Sequence, residues 1–424
     1  MHCTILAIGS QGDVQPLIAL GAGLKAAGIG VRVGAPADFE QVVRVYELEF
    51  FPLTGNASRF FSGPAGIALR ERTRHAGKFL RFFEDYLGTF LEKLLVSCWE
   101  ASQGTDAVLC WPWTRVGPSL AERLEIPVFI VSVNPVLHLP TRAFANPFQG
   151  PTNLRLGPLY NRLTWQWALP FTQVGQGQID HWRQKTLGLA TIPWRRELWM
   201  LRRLPHLFGY SPAVLPKPSD WADWLHITGY WFLDRPENFC PPPELEAFLA
   251  AGPPPVAIGF SSQVGRNAKQ ITQVVVDALT RSRKRGILIS GWGGLKGIEL
   301  PETIFPIRFV PYDWLLPRIS AMIHHGGSGS TAAALRAGLP SFAVPFGYEQ
   351  GLWGQQIAKL GVGLKPIMPD RLTADRLARA ICRVSEDGAL RSRAARLGES
   401  LRGEDGIGHA VRIIEQVVQA KAIT

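Results

Sequence analysis

The sequence predicts an α/β protein built as two doubly wound domains, and three observations carry that prediction. Short apolar, strand-like runs alternate with helical stretches, the pattern of a parallel sheet covered on both faces. The alternation occurs in both halves of the chain, with a proline-dense stretch between them. A length of 424 residues at 46% hydrophobic content exceeds one ordinary domain and suffices for two cores.

Taken in order, the first unit is strand, turn, helix, strand. Thr4 to Ile8 is apolar, Gly9-Ser10-Gln11-Gly12-Asp13 supplies the turn, and Pro16 suits the first turn of a helix. That helix runs through Leu17, Leu20 and Leu24 and stops near Gly28, and Val31 to Val33 forms the next strand. Pro212, Pro216 and Pro218 then cluster, followed by Pro241 to Pro243 and Pro253 to Pro255, which places a hinge over 211–224. Ile227 to Tyr230 is expected to open the second domain. Its further strands are Val256 to Gly259, Ile287 to Ser290, Ala321 to Ile323 and Phe342 to Val344. Gly408 to Ala422 reads as a closing helix with Val411, Ile414, Val417 and Val418 on one face. The expected division is 1–215, 216–407, and a C-terminal helix over 408–424 able to pack back on the first domain.

Bulk properties exclude several classes. The net charge of +11 is shared about equally between the halves, so neither reads as a nucleic-acid module. The five cysteines are scattered without a Cys-x-x-Cys pair, which argues against a zinc site or disulfide framework and fits a reducing cytoplasm. No signal-peptide pattern opens the chain, and no apolar run reaches the ~18–20 residues that span a bilayer. Two stretches are locally basic and aromatic: Arg70, Arg72, Arg74, Lys78 and Arg81 with Phe79, Phe82 and Phe83, and Arg183 to Arg203 with Trp182, Trp194 and Trp199. Each suits either peripheral contact with an anionic membrane or an amphipathic helix with a solvated basic face.

The most informative segment is Ala321 to Thr331: an apolar strand, two histidines, Gly326-Gly327-Ser328-Gly329-Ser330, and a helix that stops at Gly338. Glycines admit close approach of backbone N–H groups, and a helix start carries partial positive charge, so the segment suits phosphate. It lacks the lysine of a Walker loop. No Asp-x-Asp pair exists to hold a metal; Asp220 and Asp223 are three apart in the proline-rich stretch. A diphosphate held without a metal suggests a leaving group rather than a transferred phosphoryl.

Several pieces together resemble the GT-B glycosyltransferases, and within them the sterol glucosyltransferase-like group, which is also similar to the antibiotic glycosyltransferases. They are Gly9 to Pro16; Gly259-Phe260-Ser261-Ser262 with Val264-Gly265-Arg266; Ser290-Gly291-Trp292-Gly293; Pro311-Tyr312-Asp313-Trp314-Leu315; the His324-His325-Gly326-Gly327 turn; Pro345 to Gln350 with Trp353-Gly354; and Leu360 to Gly363. The resemblance implies two Rossmann-like domains facing across a cleft. It implies a UDP-sugar as co-substrate, most simply UDP-glucose, with no cofactor and no metal, and an inverting transfer to the hydroxyl of a lipophilic alcohol such as a sterol, hopanoid, glycolipid or polyketide. His325 would meet the diphosphate, with Gly12, Ser262, Gly327, Ser328, Gly329 and Ser330 donating or shaping the pocket. Val310 and Trp292 would hold the nucleotide, and Glu349 and Gln350 the sugar. His324 reads as structural and Trp314 as core. The chain departs from the pattern at Glu349, Ser261-Ser262 and Ser330, where the family carries Asp, Gly-Ser and Thr.

Asp13 is implied as the general base on the acceptor hydroxyl; from spacing alone it reads equally as a helix cap. Trp111, Trp113, Arg142 and Phe144, with the stretch Trp165 to Phe171, are either acceptor pocket or core. Rival readings are a tailoring transferase using a TDP-deoxysugar, a UDP-sugar epimerase of the same architecture, and a non-catalytic nucleotide-sugar-binding module.

Overall fold

A computed structural model describes residues 1–56, 76–147, 156–260, 268–290, 299–347 and 349–423. They form two compact units, Met1–Leu233 with Asp405–Thr424, and Asp234–Glu404.

The first unit runs β1 (His2–Leu6), α1 (Gln11–Ala26), β2 (Gly30–Pro36), α2 (Glu40–Val45), β3 (Glu49–Leu53), α3 (Ala76–Ala101), β4 (Ala107–Cys110), α4 (Gly117–Leu124), β5 (Val128–Ser132), α5 (Gly157–Ala168), α6 (Gln176–Trp182), α7 (Trp194–Arg203), β6 (His206–Phe208) and β7 (Leu225–Ile227). Its seven strands are all parallel in the order β3-β2-β1-β4-β5-β6-β7. Because a parallel sheet is buried on both faces, its inner strands carry unbroken apolar runs: Val108 to Cys110 and Phe129 to Val131 are buried throughout. Strand order reverses between β1 and β4, so the turns that follow these two strands flank the switch point, the place where doubly wound sheets bind ligands.

The second unit runs α8 (Pro243–Ala250), β8 (Val256–Gly259), α9 (Ala268–Ser282), β9 (Gly286–Ile289), β10 (Ile304–Ile307), α10 (Tyr312–Leu315), β11 (Ala321–His324), α11 (Ser328–Arg336), β12 (Ser341–Ala343), α12 (Gln350–Lys359), β13 (Gly363–Leu364), α13 (Ala374–Glu386) and α14 (Gly388–Arg402). Its sheet is parallel in the order β10-β9-β8-β11-β12-β13, with the switch point between β8 and β11, where His324 pairs with Gly259. Two apolar clusters cover the two faces: one joins Ile258 and Ile323 to Leu279, Leu377 and Ile381, the other joins Ala257 and Met322 to Leu245, Trp314, Leu315 and Ala334. Trp314 is core.

The chain then returns. α15 (Gly406–Ile423) belongs to the first unit, and the bare Cα of Gly23 in α1 is where Ile407 and Val411 pack; a Cβ on Gly23 would overlap Ile407.

The first boundary corrects the expectation. Residues 211–224 are no hinge, and Ile227 to Tyr230 does not open the second domain. Leu225–Ile227 pairs in parallel with His206–Phe208 as the edge of the first sheet, and the unit extends to Leu233 instead of 215. Proline explains the misreading: it removes N–H donors from a packed loop as it does from a linker. Here Val214, Leu215 and Trp221 are buried, with Trp221 stacked on Phe208 at 5.1 Å between ring centroids.

The second basic stretch is also corrected in part. Trp182 and Arg183 are buried, and Arg183 is consumed by Ser119 Oγ, Glu122 and the Ala190 carbonyl. Arg195, Arg196, Trp199 and Arg203 remain on the exposed face of α7. Of the first stretch, Arg70, Arg72 and Arg74 lie outside the described residues.

Candidate functional site

The turn after β1 is built around a carboxylate. Gly9 has φ +131°, a conformation closed to side-chain-bearing residues, and a Cβ there would lie 2.6 Å from Asp13 Oδ2. Ser10 caps α1, and Asp13, three residues on, accepts through Oδ2 from both the Ser10 N–H and the Ser10 hydroxyl at 2.8 Å. The cap geometry is therefore real, with Ser10 rather than Asp13 at the cap position. It uses one oxygen; Oδ1 has no partner among the described residues. Burial pushes the Asp13 carboxyl above its ordinary value, against the two Ser10 hydrogen bonds. Nothing inside the fold requires Gly12 to lack a side chain, since the nearest atom to a Cβ there is Ser10 Oγ at 3.8 Å.

In the second unit the turn after β11 is an anion site in form. Gly327 caps α11, and the first helical bond runs from the Thr331 N–H to the Gly327 carbonyl at 3.0 Å. The N–H groups of Ser328, Gly329 and Ser330 precede that bond and meet no acceptor among the described residues. His324 is fully buried, and its Nδ1 accepts from the Gly326 N–H at 3.0 Å, which fixes the turn and makes it the structural histidine of the pair. His325 is half-buried, with Nε2 over the Cα of Gly327: a Cβ on that glycine would overlap it. Burial lowers the His325 ring to about 4, with the Gly259 carbonyl opposing, so the imidazole is neutral near pH 7.

Gly326 has φ +85°, and a Cβ there would meet the Gln350 carbonyl at 2.7 Å, so this turn packs directly on the start of α12. Gln350 is buried, and its Oε1 accepts from the Phe346 N–H at 2.8 Å and the Gly347 N–H at 3.3 Å. Its oxygen therefore shapes the Pro345–Glu349 loop, leaving the amide nitrogen as the end available to a ligand. Glu349 precedes it, half-buried, as the helix cap residue. Val310 sits between β10 and α10 with its side chain in the core, so only its backbone can serve a ligand. Ser262 and Trp292 lie outside the described residues.

The structure thus brings His325, Gly327, Ser328, Gly329, Ser330 and Gln350 together at one switch point. It adds Tyr312, which the motif contained without an assigned role: burial raises its phenol, and the neighbouring Ser330 side chain opposes that rise.

The acceptor candidates form two local pairs. Trp111 and Trp113 flank a turn after β4, with ring centroids 6.1 Å apart and Trp113 exposed. Arg115 closes that turn in the left-handed region at φ +55° and forms a buried bidentate pair with Glu197, at 2.8 and 2.6 Å. Arg142 and Phe144 share the loop after β5. The Arg142 N–H donates to Asp220, and Phe144 meets Trp165 edge-on while its carbonyl accepts from the Trp165 indole. Trp165 itself is wholly buried and belongs to the core. The signals missed in the sequence were Arg115, whose partner is 82 residues away, and Asp220.

Comparison with known proteins agrees with this layout. The glycosyltransferase family 28 N-terminal domain matches residues 3–139, and the erythromycin biosynthesis protein CIII-like C-terminal domain matches residues 294–406. The chain is 35% identical over 427 residues to a sterol 3-beta-glucosyltransferase of Emericella nidulans, covering 98% of this chain and 30% of that protein. It is 34% identical over 453 residues to the sterol 3-beta-glucosyltransferase of Cryptococcus neoformans, covering all of this chain and 28% of that protein. The chain therefore spans less than a third of the length of these relatives. Among solved structures, the kitacinnamycin glycotransferase superposes with TM-score 0.71 at 19% identity, over 98% of this chain and 99% of that one. The Streptomyces sp. SF2575 glycosyltransferase SsfS6, solved with thymidine diphosphate, gives 0.64 at 19% identity, over 98% and 99%. With the doubly wound sheets, the glycine turns and these matches, the chain has the fold of the GT-B glycosyltransferases and is similar in sequence to the sterol glucosyltransferases.

Proposed function

We propose that the chain transfers a hexose, glucose first, from its uridine diphosphate to the hydroxyl of a lipophilic alcohol, in one displacement that inverts the anomeric carbon. The observation that carries the proposal is the start of α11: three N–H groups without an acceptor among the described residues and a neutral imidazole at a switch point. That arrangement suits a diphosphate that must gain charge as it departs. The acceptor oxygen attacks the anomeric carbon as the bond to the diphosphate breaks, the electron pair leaves on UDP, and Asp13 Oδ1 takes the hydroxyl proton. The relatives' activity as sterol 3-beta-glucosyltransferases supports a sterol-like acceptor and a glucose donor. No metal or cofactor has a step in this scheme. Transfer from labelled UDP-glucose to a panel of sterols, hopanoids, diacylglycerol and polyketide alcohols tests it. Product on a sterol, undiminished by a chelator, is expected; a collapse under chelator overturns the metal-free scheme.

A second reading, transfer from a TDP-deoxysugar, draws on the erythromycin-type C-terminal match and on Glu349 in place of Asp, which lengthens the sugar-facing carboxylate by one methylene. A donor panel at equal concentration separates the two: preference for the TDP-deoxysugar over UDP-glucose sinks the first.

A further inference from the structure

We propose that the outward face of α5 docks on an anionic lipid surface. This helix is apolar on both sides. Inward, Thr164, Trp165 and Ala168 are buried. Outward, Leu156, Leu159, Leu163 and Trp167 are 64%, 73%, 39% and 72% exposed. At about 100° per residue these four fall within one arc of roughly 80°, opposite Trp165. Single exposed apolar side chains need no explanation, but a contiguous stripe on one helix marks a contact surface.

Charge identifies the partner. Between Asn134 and Arg203 the acids are Asp180 and Glu197, against nine Arg and Lys. Glu197 is closed in its buried pair with Arg115, and Asp180 accepts from Gln176 and the Ile192 N–H. Asp220, brought to this region by the fold, is engaged by the Thr141 hydroxyl and the Arg142 N–H. Of the cations, Arg142, Arg162, Lys185, Arg195, Arg196 and Arg203 are exposed; Arg183 is buried, and Arg155 lies outside the described residues. Arg162 edges the stripe on α5 itself, and the Arg142 carbonyl accepts from Asn161 of α5, which holds that loop beside the helix. The Trp194 indole donates to Thr172 at 3.0 Å, which ties the start of α7, with exposed Arg195 and Arg196, to the turn after α5. A leucine–tryptophan stripe rimmed by exposed arginines, with no exposed acid between Asn134 and Arg203 among the described residues, matches an interfacial helix lying on anionic headgroups. Among the described residues no helix is long and apolar enough to cross a membrane, so the contact is a surface one.

Vesicle flotation of the full chain without substrate tests this independently of the transfer reaction. The vesicles are phosphatidylcholine alone, or equal parts phosphatidylcholine and phosphatidylglycerol. The wild type should float with the anionic vesicles, stay behind with the neutral ones, and release as salt rises. Leu159→Ser/Trp167→Ser should lower partitioning at least about tenfold with an unchanged thermal melt. Arg195→Glu/Arg196→Glu, which leaves the stripe intact, should lower it as well and decides the matter if the first variant misfolds. Failure of the wild type to float, equal binding to both vesicles, or retention by both variants overturns the proposal. So does a wild-type dimer in light scattering that Leu159→Ser/Trp167→Ser converts to monomer, since a second copy would then be the occupant.

Discussion

Asp13 holds one oxygen in two hydrogen bonds and keeps the other open, which separates its structural from its chemical work. Asp13→Asn keeps an oxygen for Ser10 and removes the carboxylate that serves as base in the proposed reaction. The expected outcome is a loss of ~10²–10⁴-fold in kcat/KM with UDP affinity unchanged by calorimetry. Stability should move the other way. A carboxyl raised by burial in the folded state favours folding when protonated, a contribution present below its unfolded value and lost as pH rises through the folded one. At pH 7 the charge therefore costs stability, and Asp13→Asn should melt no lower than wild type. Activity should fall on the acid side along a limb set above the ordinary carboxylate range, and that limb should vanish in Asp13→Asn. His325, lowered to about 4, should contribute no limb between pH 5 and 8. His325→Ala should cost ~10²-fold in kcat with little change in melting temperature. The place of His325 at the start of α11 was legible in the sequence because glycines follow it. The engagement of Gln350 Oε1 by backbone N–H groups was not, since a side chain's partner depends on how its own loop folds back.

At the scale of elements, the strands were legible because parallel strands buried on both faces read as plain apolar runs. Val256–Gly259 falls where the sequence placed it; the strands expected at Thr4, Ile287, Ala321 and Phe342 are off by one or two residues, and β2 runs three residues past Val33. What a run of apolar residues does not report is what fixes the turns beyond each strand. The turn carrying Trp111 and Trp113 depends on Arg115 and Glu197, which are buried together and 82 residues apart. Breaking such a pair strands the other charge, so Glu197→Gln should destabilise the first unit by about 3 kcal/mol in urea unfolding. The turn after β1 depends on Gly9 in the same way: Gly9→Ala forces φ +131° on a side chain and drives it into the Asp13 carboxylate. It should cost at least about 1 kcal/mol and lower kcat by displacing Asp13. A kcat equal to wild type would show that the position of Asp13 is irrelevant to turnover.

The whole molecule is not two consecutive domains. The first unit is discontinuous: the chain leaves it after Leu233, completes the second unit, and returns at Asp405. The sequence allowed a closing helix that packs back on the first domain, and α15 does belong to that unit; periodicity marks it as amphipathic without naming the surface it covers. The surface is α1, where Ile407 and Val411 fill the space above Gly23, and Ala410, Val411, Ile413 and Ile414 are buried. A fragment ending at Leu233 therefore holds all seven strands of its sheet yet leaves an apolar face of α1 in water, the condition for aggregation. Residues 234–404, by contrast, carry a complete sheet with clusters on both faces. Expressed alone, 234–404 should fold cooperatively and bind UDP. Residues 1–233 alone should aggregate, and joining 405–424 to that fragment through a flexible linker should restore a soluble, cooperatively melting unit. Ile414→Asp in the rescued fragment should abolish the rescue, because a charge would then sit in the α1–α15 contact without a partner. If 1–233 proves soluble and melts like its extended form, the last helix is an ornament on a finished domain. If only the extended form folds, the segment that follows the second unit in sequence is part of the core of the first.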